Sequence, residues 1–273
     1  MTSRQDLQQD LRQNLISALI PEAGEPPDPV RSAQKHLRRP LPRRFYTLAA
    51  VGESAGGFAL LLDGRPARTP AGTPFVVPTR AAAQLAAGEW QAAGRHIDPA
   101  GMPVTRIINA ALCGVAREIA AVQAEVVKFA ASDLVCYRAG EPASLVAAQS
   151  AAWDPVIAFA REALGARLVL GQGVVFAAQP APALAAIRRA VSVFATPLPL
   201  ACLHVMTTLS GSALLALGLA QGRFDPAAAW AAAHVDEDFQ IRAWGTDGEA
   251  LTRRALRWQD FAAAATLLRS LNP

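Results

Sequence analysis

The chain has 273 residues, of which 52% are hydrophobic, so it can bury a sizeable core in one large domain or two ordinary ones. This composition excludes a disordered scaffold. The formal net charge is only +4 at pH 7, which is weaker than nucleic-acid-binding domains usually show. The three cysteines are widely spaced and lack paired histidines, so we expect reduced thiols in the cytoplasm, with no metal and no other cofactor.

Residues 1–42 are expected to form a polar N-terminal arm, because prolines interrupt them and their apolar residues form no stripe wide enough to fold alone. The first twenty residues lack the apolar run of a secretory signal and contain two acids, which argues against a mitochondrial transit peptide. Basic residues are concentrated between positions 31 and 44. We interpret them as a solvated face, with RNA or another anionic surface as the alternative partner.

Three β-rich runs follow the arm and predict a small α+β domain over residues 43–105. The runs cover residues 44–51, 57–62 and 73–77. Asp63-Gly64 indicates a hairpin turn after the second run, because glycine accepts the positive φ of such turns. Thr79 is predicted to cap a helix that carries Glu89 and Trp90, with Trp90 on its inner face.

A candidate catalytic motif lies between the first two runs, where residues 52–56 match the G-x-S-x-G nucleophile elbow around Ser54. An elbow requires a helix directly after the serine, whereas a second β-rich run follows here from Gly57. Ser54 is therefore predicted to lie in a loop between two strands. A serine hydrolase that uses Ser54 with a histidine such as His204 or His234 is the enzymatic alternative.

The remaining residues, 106–273, have mainly helical patterns, with a short β-hairpin predicted near 167–178. Apolar residues from 108 to 129 repeat at steps of four and three, which predicts one long helix. Residues 190–222 lack Asp, Glu, Lys and Arg. Prolines and polar residues within them favour a helix buried on all sides over a membrane span.

Two motifs in the helical region are interpreted as structural. Asp154 precedes Pro155, a combination typical of a helix start, and Trp153 lies beside it. Asp133 and Arg138 bracket an apolar segment, so they are predicted to form an ion pair across a helix end.

The acidic run Asp236-Glu237-Asp238 lies in the most informative segment of the chain. As one helix, this segment places five residues on a single stripe: Trp230, His234, Glu237, Ile241 and Trp244. A carboxylate buried in such a stripe without a partner costs at least about 3 kcal/mol. Glu237 must therefore find a cation, a hydrogen-bond donor or another protein. The candidate internal cations are Arg242, Arg223 and His234.

Glu249 is a second candidate acid near the C-terminus. Its spacing from Thr246 matches a capping box, in which each of the two side chains accepts a free backbone N–H of the last helix. In that arrangement Glu249 has a structural role. The alternative is that Glu249 contacts a partner protein.

A series of short motifs extends from about residue 43 to about residue 270. They are Arg44-Phe45-Tyr46, Gly57-Phe58, Leu62-Asp63-Gly64-Arg65, Thr69-Pro70, Glu89-Trp90-Gln91, Ile97-Asp98-Pro99, Met102-Pro103-Val104-Thr105, residues 133–138, Gln149 with Trp153-Asp154-Pro155, and Asp236-Glu237 with Gln240 and Trp244-Gly245. Each motif is short, but in their order and spacing they resemble the ATP synthase α-subunit assembly chaperone family, which occurs in mitochondria and in α-proteobacteria.

This resemblance implies a chaperone without enzymatic activity, which binds the free α subunit of the F1-ATPase and shields its assembly surface until β replaces it. It also implies an α+β fold, with a small β-containing N-terminal domain followed by a mostly α-helical C-terminal domain. The expected location is the bacterial cytoplasm, or the mitochondrial matrix in eukaryotic relatives. Neither a nucleic-acid partner nor an integral membrane segment is expected.

The functional acids of the family lie near its C-terminal Trp-Gly segment, which matches Trp244-Gly245 here. The resemblance therefore implies a set of partner-binding candidates, namely Asp236, Glu237, Gln240, Trp244 and Glu249. The other residues that we single out from these motifs are interpreted as structural, namely Glu89, Trp90, Asp133, Arg138, Trp153 and Asp154.

Overall fold

The structure is a computed structural model that describes residues 41–173 and 176–271. The chain divides into two compact units between Gly114 and Val115. The N-terminal unit contains a small sheet with two helices, and the C-terminal unit is mostly helical. This order of elements confirms the predicted α+β fold.

Strand β2 lies at the centre of a four-stranded antiparallel sheet in the N-terminal unit. It comprises Gly57–Leu62 and pairs on one side with β1, Ala49–Ser54. It also pairs with β3, Arg65–Pro66, and with β4, Val76–Val77. The predicted run 57–62 is confirmed. Strand β1 begins later than predicted, because the backbone N–H groups of Thr47 and Leu48 donate to the carboxylate of Asp63.

The turn between β2 and β3 confirms the predicted hairpin. It consists of Asp63 and Gly64, which both have left-handed backbone conformations, with φ values of 48° and 77°. Glycine adopts this conformation without steric cost, and aspartate is among the residues that tolerate it. Hydrogen bonds from the backbone of Leu48 and Thr47 hold the Asp63 carboxylate in place and lower its pKa.

Helix α1, Arg80–Ala92, packs against β1 and β2. Thr79 caps it as predicted, because the Thr79 side chain accepts the backbone N–H of Ala82 at 3.2 Å. The helix contributes small buried side chains to a core that it shares with the sheet and the adjacent loop, which includes Leu60, Phe75, Ala82, Ala83 and Ala86. A short 3₁₀ turn, Pro99–Gly101, leads into helix α2, Pro103–Cys113.

The long helix predicted over residues 108–129 is wrong. Helix α2 ends at Cys113, a 3₁₀ turn follows at Val115–Arg117, and helix α3 begins at Ile119 and ends at Ala131. The break falls at Gly114, a residue with low helix propensity. The predicted start of the helical domain at residue 106 lies inside α2, whereas the compact units divide after Gly114.

The helices of the C-terminal unit pack around two buried helices, which comprise Pro197–Ser210 and Ala213–Ala220. Its remaining helices after α3 are α4, Ala143–Glu162; α5, Ala181–Ser192; α6, Pro197–Ser210; α7, Ala213–Ala220; α8, Pro226–Ala233; α9, Val235–Trp244; and α10, Gly248–Ser270. The uncharged segment 190–222 includes α6 and α7, which are largely buried and are separated by Gly211 with φ 70°. Among the described helices, none is long and apolar enough to cross a membrane.

The hairpin predicted near 167–178 differs from the structure. Strand β6 is Gly171–Gln172, and it pairs in parallel with β5, Tyr137–Arg138, in the same unit. The second predicted strand falls partly on residues 174–175, which lie outside the described residues. Gly171 thus belongs to a strand whose partner, Tyr137–Arg138, lies far away in the sequence.

The helix start predicted at Asp154 is also wrong, because α4 begins at Ala143 and continues through Pro155. A proline inside a helix removes one backbone hydrogen bond and usually destabilises the helix. Tertiary contacts hold α4 across this position, since Trp153, Val156 and Phe159 are all buried.

Candidate functional site

The acidic segment does not form the single buried stripe that the sequence predicts. Helix α8 ends at Ala233 and α9 begins at Val235, because His234 between them has φ −119° and ψ 20°. Trp230 and His234 are buried, whereas every residue of α9 is at least partly exposed. Glu237 keeps 42% of its side-chain surface exposed, so the predicted cost of burying its carboxylate does not apply. Three acids in the first turn of α9 favour solvent and the positive end of the helix dipole.

His234 lies near Glu237, with 3.8 Å between Nε2 and the carboxylate. Its Nδ1 is 2.7 Å from the carbonyl oxygen of Trp230, and because that oxygen can only accept, Nδ1 carries the hydrogen. Burial lowers the pKa of His234, so the ring is neutral at pH 7 and Nε2 has no hydrogen to donate. Glu237 therefore gains no ion pair from His234 at neutral pH.

The two aspartates that flank Glu237 have partners inside the C-terminal unit. Asp236 accepts a hydrogen bond from Nε2 of the buried Gln149 at 2.6 Å. Asp238 forms an ion pair with Arg254 of α10. These contacts attach the first turn of α9 to α4 and to α10. Of the three acids, Glu237 is the one whose carboxylate, among the described residues, binds neither a hydrogen-bond donor nor a Lys or Arg.

The turn between α9 and α10 borders a groove of about 260 Å³, which we call the α9–α10 groove. Ile241, Trp244 and Leu251 are the large apolar side chains in its lining, and Glu237 and Asp247 are its charged side chains. Trp244 is 80% exposed and Leu251 is 46% exposed. Pockets for drug-sized ligands usually measure about 300–1,000 Å³, so this groove better suits one or two side chains of a protein. Exposed tryptophan is among the residue types that contribute most to protein interfaces.

Gln240 and Glu249 have different positions relative to this groove. Gln240 lines it and also lines a second groove of about 290 Å³ beside Tyr137. Glu249 lies outside the groove lining and forms an ion pair with Arg253, one helical turn along α10.

The capping box predicted for Thr246 and Glu249 is wrong. The residue that caps α10 is Asp247, whose carboxylate accepts the backbone N–H of Glu249 at 3.2 Å. Aspartate directly before the helix was a visible signal for this cap. Leu251 has no comparable signal, because it lies on α10 and the tertiary fold brings it into the same groove lining as residues of α9.

Glu89 and Trp90 connect α1 to α2 in the N-terminal unit. The two carboxylate oxygens of Glu89 accept the backbone N–H groups of Val104 and Thr105, both at 2.7 Å. Glu89 thereby caps α2 from another helix, and burial raises its pKa. Trp90 donates from Nε1 to Oγ1 of Thr105 at 3.1 Å, and its backbone carbonyl accepts from the Tyr46 hydroxyl.

Asp133 and Arg138 do not form the predicted ion pair with each other in the described part of the chain. Asp133 is fully buried, and its carboxylate accepts the backbone N–H groups of Val135 at 3.3 Å and Leu214 at 3.1 Å. It therefore caps a 3₁₀ turn, Leu134–Cys136, and the start of α7. Arg138 pairs with Asp154 at 2.9 Å instead.

Trp153 and Asp154 attach α4 to its neighbours within the C-terminal unit. Trp153 is completely buried and donates from Nε1 to the carbonyl oxygen of Ala232 at 2.7 Å. The guanidinium of Arg138 lies over the Trp153 ring at 5.4 Å and is held there by Asp154. Asp154 thus acts through an ion pair in the middle of a helix rather than as a cap.

Ser54 and Arg44, on which the two alternative functions depend, both lie in ordinary structural contacts. Ser54 ends β1 and pairs with Gly57 across a two-residue turn, so a strand follows it where an elbow requires a helix. The guanidinium of Arg44 donates to the backbone carbonyl oxygens of Tyr46, Thr47, Gln91 and Ala93. The Arg44 side chain therefore stabilises the fold. Most of the basic segment 31–44 lies outside the described residues.

Comparisons with known proteins agree with the motifs. Residues 43–161 match the model of the ATP12 chaperone protein family. The crystal structure of Atu1473, a candidate chaperone from Agrobacterium tumefaciens, is similar to this chain with 46% sequence identity, a TM-score of 0.83 and coverage of 97% of each chain. Atp12 from Paracoccus denitrificans is 38% identical, with a TM-score of 0.78 and coverage of 85% of this chain and 99% of its own. An aspartate-to-lysine mutant of that protein has also been solved and matches equally well, with 38% identity and a TM-score of 0.78. The chain therefore belongs to the ATP12 chaperone family.

Proposed function

We propose that this chaperone acts in the assembly of ATP synthase by binding the free α subunit of the F1-ATPase before α meets β. Membership of the ATP12 chaperone family supports the role in ATP synthase assembly. The choice of α rests on the resemblance of the motifs to α-subunit assembly chaperones. We place the binding event in the cytoplasm and assign the chain no enzymatic activity.

A chaperone for α has a clear physical task. An unassembled α subunit exposes the apolar surface that later faces β, and such surfaces aggregate unless a partner covers them. A chaperone that covers this surface needs exposed apolar side chains of its own, and it needs no catalytic group.

The α9–α10 groove is the observation that carries this proposal. Trp244 and Leu251 offer exposed apolar surface at one place, and the carboxylates of Glu237 and Asp247 lie beside them. Mixed apolar and polar contacts of limited size suit a transient complex. The β subunit can then displace the chaperone by mass action, since it buries a larger area on α.

Binding of purified α to Trp244→Ala tests the proposal. Truncation of an aromatic residue central to an interface typically costs about 2 kcal/mol or more, so affinity for α should fall by about thirtyfold. Val193→Ala is the matched control, because Val193 is a 79% exposed apolar residue of the same unit that lies outside the groove lining. Affinities can be measured by calorimetry, and thermal unfolding should show both variants to be folded.

The same measurements can contradict the proposal. Failure of the wild-type chain to bind α would remove the proposed partner. Equal affinities for Trp244→Ala and Val193→Ala would remove the groove as the binding site. Added β subunit should release α from the wild-type complex, and a stable ternary complex would count against displacement.

A further inference from the structure

The charges around the α9–α10 groove restrict what can bind there. The charged side chains in its lining are both acids, Glu237 and Asp247, and they lie beside the apolar surface of Ile241, Trp244 and Leu251. Asp247 already accepts the backbone N–H of Glu249 as a helix cap. Glu237 is thus the lining carboxylate that remains open to a partner.

The flanking acids hold Glu237 at this position. Asp236 is fixed by Gln149, and Asp238 is fixed by Arg254, so the first turn of α9 has contacts on two sides. His234 is neutral at pH 7 because burial lowers its pKa, so it forms no ion pair with Glu237. Glu237 also attracts Arg254, but the hydrogen bond of that guanidinium goes to Asp238. Because the flanking aspartates act through this attachment, they are positioning residues, whereas Glu237 is available for direct contact.

We infer that the α9–α10 groove binds a segment of its partner in which a large apolar side chain lies next to a lysine or arginine. The apolar side chain occupies the space between Ile241 and Leu251, beside Trp244, and the cation pairs with the carboxylate of Glu237. A volume of about 260 Å³ accommodates one or two side chains, so the bound segment is short. This inference rests on the proposed function, and it specifies the chemistry of the α segment that would be recognised.

Charge removal at two glutamates tests the inference. Glu237→Gln should weaken binding of purified α by about tenfold, because close charge pairs at interfaces contribute about 1.5 kcal/mol or more. Glu162→Gln is the matched control, since Glu162 belongs to the same unit, is 62% exposed at its side chain, and pairs with Arg161 outside the groove lining. We expect the control to bind within about twofold of wild type. The difference between the variants should shrink at high salt.

A crosslink and a charge swap identify the segment itself. A photoreactive benzoylphenylalanine in place of Leu251 should crosslink to α, and mass spectrometry should find Lys or Arg beside a large apolar residue in the crosslinked peptide. Glu237→Lys should abolish binding, and exchange of that basic residue of α for glutamate should restore it. Should Glu237→Lys fail to fold, the comparison of Glu237→Gln with Glu162→Gln still decides.

Several outcomes would overturn the inference. The first two are equal binding by Glu237→Gln and wild type, and equal losses of affinity for Glu237→Gln and Glu162→Gln. The others are a crosslinked peptide without a basic residue, and a charge swap that does not restore binding although both proteins are folded. In each case wild-type binding of α would leave the proposed function standing. Absence of binding by the wild-type chain would instead contradict the proposed function.

Discussion

Asp133 combines complete burial, two backbone hydrogen bonds and a raised pKa in one residue. It is fully buried in the C-terminal unit and accepts backbone hydrogen bonds from two helix starts. Burial raises its pKa from 3.8 to about 6, although the hydrogen bonds oppose this rise. The folded chain therefore binds a proton at this site more readily than the unfolded chain does.

The stability of the protein should depend on pH through Asp133. Because the folded-state pKa is raised, the stabilising contribution is complete below about pH 4 and is lost as the pH rises through about 6. The shift corresponds to about 3 kcal/mol. Asp133→Asn removes this titration, so the free energy of unfolding of wild type should fall relative to that of the variant between pH 4 and 7. Chemical denaturation at several pH values measures this difference, and parallel profiles would contradict the assignment.

The structural role of a residue could be predicted where its hydrogen-bond partners are near in the sequence. Thr79 caps a helix through a bond to Ala82, and Asp63 occupies a turn whose signal is local. Glu89 and Asp133 bind backbone groups 15 and 81 residues away, so their roles depend on the fold. The sequence predicts a buried stripe that contains Glu237, but the structure breaks this stripe at His234 and leaves Glu237 partly exposed.

At the scale of the elements, the positions where helices begin and end were the hardest to predict from the sequence. Pro155 has the local signal of a helix start, yet buried contacts of Trp153 and Phe159 carry α4 through it. The break at Gly114 was hidden by an apolar repeat that continues across it into α3. Local propensity is a weak prior that tertiary packing overrides at such positions.

The attachment of α9 to α4 leads to a prediction about Gln149. Its amide accepts the N–H of Ala139 at 2.7 Å and donates to Asp236 at 2.6 Å. Gln149→Leu leaves both groups without this partner, which should cost about 2 kcal/mol. Backbone amides in the first turns of α9 should then exchange about tenfold faster, as measured by hydrogen exchange with mass spectrometry.

Gln84→Leu provides the control for this prediction. Gln84 is an exposed glutamine of α1, so its replacement tests the effect of the same chemical change at the surface. Exchange in α9 should match wild type in this variant. Unchanged exchange in Gln149→Leu as well would show that other contacts fix α9.

At the scale of the whole molecule, the α9–α10 groove and the packing around Trp90 belong to different compact units. The α9–α10 groove belongs entirely to the C-terminal unit, whereas Trp90 packs beside Tyr46 in the N-terminal unit. Each unit has its own buried core, as separate domains do. A substitution in the core of one unit therefore need not alter a surface site on the other unit.

Trp90→Ala should lower stability while leaving recognition intact. Loss of the ring removes its packing against Tyr46 and its hydrogen bond to Thr105, at a cost of about 3 kcal/mol. Thermal unfolding should show the loss, and affinity for α below the melting temperature should equal that of wild type. A variant with normal stability that fails to bind α would show instead that Trp90 is a contact residue.

The exposure of Trp244 makes the chain its own optical reporter. The other four tryptophans are buried or partly buried, and Trp230 and Trp258 lie against aromatic neighbours. Indole emission shifts to shorter wavelength when water leaves the ring, so the red edge of the fluorescence spectrum arises mainly from Trp244. Occupation of the groove would therefore be visible as a blue shift in the intrinsic fluorescence, without any label on either protein.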